Sequence, residues 1–437
     1  MKVILGAALL LLALTLARTP AEAKVYIDIN SPGSHVVPIA VPEFRLVGPA
    51  PRGVGAEGAD ILGADLLYSG LFSLVPRTAY LDPAVQEGLT SPNIDFRRWN
   101  LFGAHLLVTG GVSSKQNQLR LELRLFDVLE GKMIIGRAYN GRRDQVREMM
   151  HRFASEIVRA IAGVEPVFDT RIAFVSDASG HKEVYTMDFD GYGAAPLTHI
   201  KSIALSPSWR TDGSEITFIS YRSGRPELYC AGAGGNHLRL FHGSSGLSMS
   251  PCWSPDGKTV AAALSFGGNT DICLLDVSGN VLRRLTENVA TDIEPSWSPD
   301  GKQLVFCSSR GGSPQIYTID VASGEVRRLT FSGSYNSSPA WSPRGNRIAF
   351  TGRTDGHFHI FTMTPDGGDV RQLTSGSGSN ESPSWSPDGL LLTFSSTREG
   401  KPRIYVMNAD GSNQRAIGSA SGRQTEPAWS GRLNASN

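Results

Sequence analysis

Tryptophan recurs in this chain at a fixed interval. Six of the seven tryptophans stand at positions 209, 253, 297, 341, 385 and 429, so each follows the last by 44 residues. A fixed interval of this length is typical of repeat architectures, in which each unit is one supersecondary structure. The chain is therefore expected to fold as an array of similar units over this whole region.

The unit that begins at Glu294 indicates what each repeat builds. It contains four short runs, EPSWS, KQLVFCSS, QIYTID and EVRRLTF, which are rich in β-branched and aromatic residues and are separated by turn residues. Four short strands in 44 residues are typical of one blade of a β-propeller. We therefore predict an all-β propeller over residues 171–437.

One unit of the repeat is split between two places in the chain. Residues 171–199 match the second, third and fourth strands of a unit, whereas EPAWS (Glu426–Ser430) matches a first strand alone. Five complete units and this split one make six blades, and we expect the C-terminal strand to close the ring. Closure would remove the sheet edges that an open array exposes.

The motif Ser-Pro-Asp-Gly after the tryptophan predicts a hairpin turn. Pro299 presets φ for the first corner, Asp300 suits the second, and Gly301 can adopt the left-handed conformation. Arg344 replaces the acid in another unit, which favours a structural over a catalytic or metal-binding aspartate. Each tryptophan is a large apolar side chain that we expect to lie between neighbouring blades.

Residues 1–23 are predicted to be a secretory signal peptide. Lys2 supplies a positive start, Ile4–Leu16 an apolar core, and Ala21–Ala23 a small-x-small cleavage site. The apolar run is too short for a membrane anchor. We expect the mature protein to begin at Lys24, outside the cytoplasm.

Charge and composition exclude some functions. The 42 lysines and arginines balance 41 aspartates and glutamates. The sequence therefore lacks the excess of positive charge that binds nucleic acid or an anionic membrane. We expect no nucleic acid partner and no direct membrane insertion.

Residues 24–165 lack the period and predict a small α/β domain. KVYIDI, VVPIAVPEF, HLLVTGGV and LRLELRLF have the composition or alternation of strands, and GADILGADLLYSG predicts a helix that ends at Gly70. DQVREMMHRFASEIVRAIAG places an apolar stripe on a second helix that stops at Gly163. A linker, Val164–Thr170, would join this domain to the propeller.

Two enzyme classes also use such propellers. A prolyl-oligopeptidase-like hydrolase needs a G-x-S-x-G nucleophile elbow on a separate domain, and the sequence contains no such string. A propeller-type lactonase needs converging acidic and amide side chains around a metal in the channel, and several occur near the starts of first strands: Asp292, Glu294, Asn380, Glu381 and Glu426. These positions serve equally well for binding a partner, so we predict no catalytic residue, no metal and no cofactor.

Histidine and cysteine offer weaker alternatives. His357 and His359 share one strand face and could hold a metal, although a single His-x-His is a weak signal. The four cysteines, at 230, 252, 273 and 307, lie in apolar strand-like runs at different phases of the repeat. We interpret them as small buried thiols rather than as disulfides or metal ligands.

The order of these features resembles the TolB family, the periplasmic component of the Tol-Pal system. The resemblance rests on the signal peptide, the helix GADILGADLLYSGLFSLV, the six-bladed WSPDG propeller and the closing EPAWS, and it covers the whole mature chain. It implies a non-enzymatic adaptor, monomeric within a Tol-Pal complex, that supports outer-membrane integrity and cell division.

The resemblance also implies two partner-binding regions. The lipoprotein Pal would bind the propeller face formed by the loops that enter the first strands, at Met249, Ser250, Asp292, Ile293, Glu294, Asn336, Ser337, Asn380, Glu381, Thr425 and Glu426. TolA would bind the mature N-terminal segment, at Lys24, Val25, Tyr26, Ile27, Asp28, Ile29 and Asn30.

We further expect an acidic ring on the propeller face. This hypothesis treats Glu294, Glu381 and Glu426 as equivalent positions of the repeat and adds Asp292 at the channel mouth. Other units carry serine before Pro-x-Trp, so we expect these carboxylates to serve a partner and to be dispensable for the fold.

Overall fold

The computed structural model describes residues 36–80, 88–116, 118–244, 246–418 and 421–433. The signal peptide, the first expected strand (KVYIDI) and the expected TolA-binding residues 24–30 lie outside these ranges. Within them, no helix is long and apolar enough to cross a membrane.

The N-terminal region is a six-stranded sheet with helices packed on it. A short N-terminal strand pairs in parallel with two neighbours, and the sheet continues as an antiparallel meander. The elements are β1 (Val37–Ala40), β2 (Arg45–Leu46), α1 (Val54–Tyr68), β3 (Phe72–Leu74), α2 (Phe96–Leu101), β4 (Leu106–Lys115), β5 (Gln118–Asp127), β6 (Lys132–Gly141) and α3 (Val146–Ala162), with 3-10 turns at Arg77–Tyr80, Ser91–Asn93 and Arg143–Gln145.

Local sequence accounts for most of these elements. The leucines of β5 alternate into the core, whereas Arg120, Glu122 and Arg124 between them are exposed or half-buried. Helix α3 buries one apolar stripe and ends at Gly163, whose φ of 65° is the left-handed conformation that glycine adopts without strain. Helix α1 begins at Val54, earlier than the motif from Gly58 predicts, and β6 was not predicted because its side chains are mostly exposed and do not alternate cleanly.

The propeller consists of six four-stranded sheets, each numbered here as one blade. Strands pair antiparallel within each blade. Blade 1 consists of β10 (Ala204–Trp209), β11 (Glu215–Ser220), β12 (Glu227–Gly232) and β13 (Arg239–His242), and blade 2 of β14 (Ser248–Trp253), β15 (Thr259–Phe266), β16 (Asn269–Asp276) and β17 (Val281–Arg284). Blade 3 consists of β18 (Asp292–Trp297), β19 (Gln303–Ser308), β20 (Gln315–Asp320) and β21 (Val326–Arg328), and blade 4 of β22 (Asn336–Trp341), β23 (Ile348–Thr354), β24 (His357–Met363) and β25 (Arg371–Gln372). Blade 5 consists of β26 (Asn380–Trp385), β27 (Leu391–Ser396), β28 (Arg403–Asn408) and β29 (Arg415–Ala416).

Blade 6 is the split unit. It joins β30 (Gln424–Trp429) to β7 (Arg171–Ser176), β8 (Glu183–Asp188) and β9 (Ala195–Pro196). Strand β30 pairs antiparallel with β7, so that Trp429 lies opposite Ile172. The predicted fold class, an α/β domain followed by a six-bladed propeller that the C-terminal strand closes, is confirmed.

The tryptophans lie between blades, as expected. Trp297 is only 8% exposed and packs with residues of blades 2 and 3, while its indole N–H donates to the carbonyl oxygen of Cys252 at 3.1 Å. The indoles of Trp209 and Trp385 donate to the preceding blade in the same way. Trp253 likewise donates to the Thr217 hydroxyl of blade 1, so four of the six tryptophans add a directional bond to the apolar contact between blades.

The hairpin turn after Trp297 has the expected chemistry. The carboxylate of Asp300 accepts hydrogen bonds from the Ser298 hydroxyl at 2.6 Å and from the Lys302 N–H at 3.1 Å, and Gly301 has a φ of 70°. These bonds hold the pKa of Asp300 below its ordinary value, with the Ser298 hydroxyl as the largest cause. The aspartate therefore closes its own turn.

The four cysteine thiols are free, and three of them are fully buried. Burial raises the pKa of Cys230 and Cys252 to about 11 and that of Cys273 to about 12. These thiols are therefore protonated at neutral pH and unreactive.

The N-terminal domain and the propeller share one hydrophobic cluster. Tyr68 of α1 packs edge-on against Phe189 of blade 6 with ring centroids 4.9 Å apart, and the guanidinium of Arg415 lies 4.2 Å from the Tyr68 ring. Arg147 of α3 forms an ion pair with Asp190 in the propeller. The contact involves propeller turns such as the one at Leu390, which lie at the C-terminal ends of the first strands.

We predict that deletion of Glu426–Asn437 lowers the stability of the whole propeller. The deletion opens two sheet edges and removes buried Trp429, a loss that alone costs about 3–5 kcal/mol. Thermal melting of the mature protein checks this, with deletion of residues 434–437, which follow β30, as the control. A truncated protein that melts like the control would contradict closure by β30.

We also predict that Trp297→Ala lowers the free energy of unfolding by about 3–5 kcal/mol. Asp300→Asn should cost about 0.5 kcal/mol or less, because asparagine keeps an acceptor in an exposed turn. Denaturant unfolding compares the two variants directly. Equal losses would mean that Asp300 has a role beyond its turn.

Candidate functional site

A recess of about 520 Å³ opens where the first strands of the six blades begin. In every blade, the recess is lined by the two residues that stand three and two positions before the tryptophan. These residues are Ser206 and Pro207, Ser250 and Pro251, Glu294 and Pro295, Ser338 and Pro339, Ser382 and Pro383, and Glu426 and Pro427, with Ser337, Glu381, Tyr335 and Phe358 completing the wall.

A β-bulge in each first strand shapes this recess. Pairing with the second strand shifts register before the Pro-x-Trp sequence, as between Ile293 and Ser296. The bulged residue has positive φ in all six blades, from 48° at Ser338 to 56° at Glu294. Non-glycine residues in this conformation cost of order 1–3 kcal/mol each, and such strain concentrates at binding sites.

Glu381 is not equivalent to the other two glutamates, so the expected phase was wrong. The bulged position of blade 5 is Ser382, with φ of 56°, and Glu381 precedes it, at the phase of Ile293 and Thr425. Glu294 and Glu426 do occupy the bulge in blades 3 and 6. All three nevertheless line the recess, because side chains from both positions reach it.

Glu294 and Glu426 each accept a hydrogen bond from the next blade. The Oε2 atom of Glu294 lies 2.6 Å from the Ser338 backbone nitrogen, and that of Glu426 lies 2.6 Å from the Ser206 backbone nitrogen. Burial raises the pKa of Glu294 above its ordinary value, and the charge of Glu426 adds to the effect. These bonds between blades argue against the expectation that both carboxylates are dispensable for the fold, which stays a prediction.

The hydrogen bonding of the Glu381 side chain differs from that of Glu294 and Glu426. Its carboxylate has no hydrogen-bond or ion-pair partner among the described residues, although it lines the recess. Burial raises its pKa. Glu381 is thus the acid most available to a cationic group that enters the recess.

Asp292 does not belong to an acidic ring at the channel mouth. It is fully buried, forms an ion pair with Arg310 at 2.8 Å, and does not line the recess. Asn336 and Asn380 occupy the same repeat position and are buried in the same way. This position lies between neighbouring blades because the side chains of a strand alternate in direction.

The remaining expected partner-binding residues divide into two groups. Ser250 and Ser337 line the recess. Met249 and Ile293 pack against the hydrophobic clusters between blades, and Thr425 is half-buried in β30 outside the recess wall. The structure therefore gathers five of the eleven predicted positions into one recess: Ser250, Glu294, Ser337, Glu381 and Glu426.

Sequence reasoning missed two kinds of recess residue. The six prolines were visible in the repeat at the position before x-Trp, and their period could have placed them. Tyr335 lies in the loop before β22 and Phe358 near the start of β24, neither with a periodic signal, and they pack edge-on with centroids 5.5 Å apart. This pair makes one side of the recess aromatic.

His359, considered above as a metal ligand, is engaged between blades 4 and 5. Its Nδ1 lies 3.3 Å from the Asn380 side-chain nitrogen and 3.4 Å from the Thr374 hydroxyl. His357, by contrast, is exposed. Burial lowers the pKa of His359, so its neutral form accepts these hydrogen bonds at neutral pH.

We predict that Glu294→Ser lowers the free energy of unfolding by about 1 kcal/mol or more, because the Ser338 N–H loses its acceptor. Glu294→Gln should keep that acceptor, and Glu381→Ser should leave stability nearly unchanged. Denaturant unfolding at pH 7 ranks the three variants.

The same variants test a pH dependence. A glutamate whose pKa is raised in the folded state stabilises the fold at low pH, and this contribution is lost as pH rises through the folded-state value. As the pH rises through the folded-state pKa of Glu294, the free energy of unfolding of the wild type should therefore fall by more than that of Glu294→Gln. Parallel pH profiles would contradict the assigned burial of Glu294.

Comparisons with known proteins agree with this architecture. The family model described as the TolB beta propeller domain matches residues 158–433, and the model of the TolB amino-terminal domain matches residues 25–134. The solved structure of TolB from Acinetobacter baumannii is 28% identical and superposes with a TM-score of 0.79 over 90% of this chain and 96% of that one.

Curated relatives carry the same family name. The Tol-Pal system protein TolB of Desulfosudis oleivorans is 42% identical over 190 residues, which are 43% of this chain and 43% of the relative. That of Syntrophotalea carbinolica is 41% identical over 209 residues, 48% of each chain. The matched stretches thus span about half the length of these relatives. With one family model over the propeller and another over the N-terminal domain, the chain belongs to the TolB family of Tol-Pal system proteins.

Proposed function

We propose that this protein is a periplasmic, non-enzymatic adaptor of the Tol-Pal system. In this proposal the propeller recess binds Pal, the segment from Lys24 to Asn30 binds TolA, and the complex supports outer-membrane integrity and cell division. Membership of the TolB family, with matches to both domains, supports the assignment to this system. The lack of a nucleophile elbow in the sequence favours an adaptor over a serine hydrolase.

The observation that carries the Pal-binding proposal is the half-buried carboxylate of Glu381, which lines the recess and has no hydrogen-bond or ion-pair partner among the described residues. Withdrawing a carboxylate from water without a partner is unfavourable, so a protein cation that fills the recess would relieve that cost. The aromatic pair of Tyr335 and Phe358 beside it is the kind of group that anchors protein interfaces.

The rigidity of the recess supports the same proposal. Prolines with fixed φ follow six bulged residues, and Glu294 and Glu426 tie neighbouring blades together at this end. A preorganised surface loses little conformational entropy when a partner binds.

The placement of the two domains is compatible with two partners on one monomer. The N-terminal domain packs near turns such as that at Leu390, whereas the recess lies at the other end of the first strands. Six strand residues separate these ends, which is roughly 20 Å. A partner at the recess would leave the N-terminal domain accessible.

We predict that Glu381→Gln weakens Pal binding by at least about tenfold without lowering the melting temperature. Removing one member of a buried interfacial charge pair costs about 2–5 kcal/mol, and the carboxylate has no partner among the described residues whose loss could destabilise the fold. Isothermal titration calorimetry with soluble Pal measures the change. Asp300→Asn, which also removes one acid but lies at the far end of a first strand, is the matched control.

Two negative outcomes would contradict different parts of the proposal, one the adaptor function and the other the location of the binding site. Failure of the wild type to bind Pal would contradict the adaptor proposal itself. Unchanged affinity in Glu381→Gln, with normal binding by the wild type, would instead place Pal elsewhere on the protein.

A further inference from the structure

The outer strands of the propeller carry an arginine at a fixed position of the repeat. It occurs in the fourth strand of blades 1 to 5 at intervals of 44 residues, whereas the equivalent residue of blade 6 is Ala195. These arginines are Arg239, Arg283, Arg327, Arg371 and Arg415. Each stands beside the boundary with the next blade, which we call a seam. One side chain can therefore be compared across five seams.

In two seams this arginine donates to the next blade. Arg283 of blade 2 donates to the carbonyl oxygen of Val321 in blade 3 at 2.7 Å. Arg327 of blade 3 donates to the carbonyl oxygen of Pro365 in blade 4 at 2.9 Å. Both acceptors lie 38 residues after the arginine, in the turn that follows the third strand of the next blade. We call this hydrogen bond the arginine clamp.

In two other seams an acid of the same blade holds the arginine instead. A guanidinium nitrogen of Arg239 lies 3.5 Å from a carboxylate oxygen of Glu215, and one of Arg371 lies 2.8 Å from a carboxylate oxygen of Asp369. An ionised carboxylate is a stronger acceptor than a backbone carbonyl. Neither arginine clamps the next blade in the described part of the chain, because each has this alternative partner.

The seam of blades 5 and 6 differs from all four, because the N-terminal domain enters it. Val321 and Pro365 follow Phe189 by three and four repeats, so the acceptor for a clamp by Arg415 is the carbonyl oxygen of Phe189. In the structure this oxygen accepts from the hydroxyl of Tyr68, the last residue of α1. The N-terminal domain thus takes the acceptor that the repeat assigns to Arg415.

The Tyr68 ring stands between Arg415 and that oxygen. The guanidinium carbon of Arg415 lies 4.2 Å from the centre of the ring, and the other side of the contact is the Phe189 ring, 4.9 Å from Tyr68. The hydrogen bonds of Arg415 are long, at 3.5 Å to the Tyr68 carbonyl and 3.2 Å to that of Asn413, and it forms no salt bridge with a described residue. Arg415 therefore stays at the seam without a strong acceptor.

The acceptor turn of blade 6 is adapted to this contact. Phe189 is fully buried and packs with Tyr68 in the cluster that joins the two domains. The equivalent residues of the other blades are smaller, namely Ala233, Val277, Val321, Pro365 and Ala409. A large aromatic side chain at this one turn provides an apolar surface for the N-terminal domain at the seam of blades 5 and 6.

We propose that Tyr68 and Arg415 are alternative donors to the Phe189 carbonyl and form an exchangeable latch. With the N-terminal domain docked, Tyr68 holds the oxygen and Arg415 lies over its ring. When Tyr68 withdraws, the guanidinium enters the vacated space and donates to the oxygen, as Arg283 and Arg327 do in their seams. The two arrangements exclude each other because the ring blocks the path of the guanidinium. Arg415 thus keeps blades 5 and 6 joined in both arrangements, which lowers the free energy needed to release the domain.

A double-mutant cycle distinguishes the latch from simple packing of Arg415 on Tyr68. Thermal melting of the mature protein measures the cost of Arg415→Met in the wild type and in Tyr68→Ala. The latch predicts a larger loss in Tyr68→Ala, because Arg415 is then the clamp. Simple packing predicts a smaller loss there, because the ring that Arg415 contacts is already gone. An equal or smaller loss in Tyr68→Ala would overturn the proposal.

Arg283→Met is the matched control, since it removes an arginine clamp in a distant seam. It should lower the melting temperature equally in both Tyr68 backgrounds, and by about as much as Arg415→Met does in Tyr68→Ala. If Tyr68→Ala does not fold, Tyr68→Leu replaces it, because leucine fills part of the space and cannot donate. The cycle needs no binding partner, so its outcome does not depend on the proposed function.

A crystal structure of the Tyr68 variant gives a direct readout. It should place a guanidinium nitrogen of Arg415 about 3 Å from the Phe189 carbonyl oxygen. An Arg415 side chain that points to solvent, with the Phe189 oxygen left to water, would contradict the exchange.

Discussion

The pairing of β30 with β7 is the interaction on which the propeller depends. It joins residues more than 240 positions apart, with Gln424 opposite Ser176, and a hydrogen bond from the Arg171 N–H to the Ser430 hydroxyl extends the contact. Without this ladder the last blade would lack its innermost strand, and unpaired N–H and C=O groups would face solvent at two sheet edges. The chain thus closes a ring of six sheets with a single strand.

Ring closure also determines how the N-terminal domain is held. Blade 6 contributes Phe189 and Trp429 to the hydrophobic cluster that includes Tyr68 of α1 and Phe153 of α3. The blade built from both ends of the propeller is therefore part of the core that joins the domains. A change in β30 would alter the packing of that core, because buried side chains in contact relax only together.

The bulged first strands link the repeat to the candidate function. A regular strand would direct alternate side chains into the seams, whereas the bulge turns one residue per blade toward the central recess. Two consequences follow from one backbone feature. The recess acquires acids in an otherwise apolar and hydroxyl-lined wall, and the seam positions just before the bulge become the buried polar network that contains Asp271, Asp292 and His359.

The sequence by itself determined the propeller, the number of its blades and the closing strand, because the tryptophan that recurs every 44 residues in each blade and the Ser-Pro-Asp-Gly turn of three blades are local signals. It also placed the candidate site at the starts of the first strands. Only the tertiary structure decided which side chains reach the recess: Asp292 and Glu381 are both acids near a strand start, yet one is buried between blades and the other is exposed to the recess. The aromatic pair of Tyr335 and Phe358 likewise joins a loop residue and a strand residue that no period marks. The physical reason is that the burial and direction of a side chain depend on the neighbouring blade and on the extra residue that the β-bulge adds to a first strand. Neither is encoded in local composition.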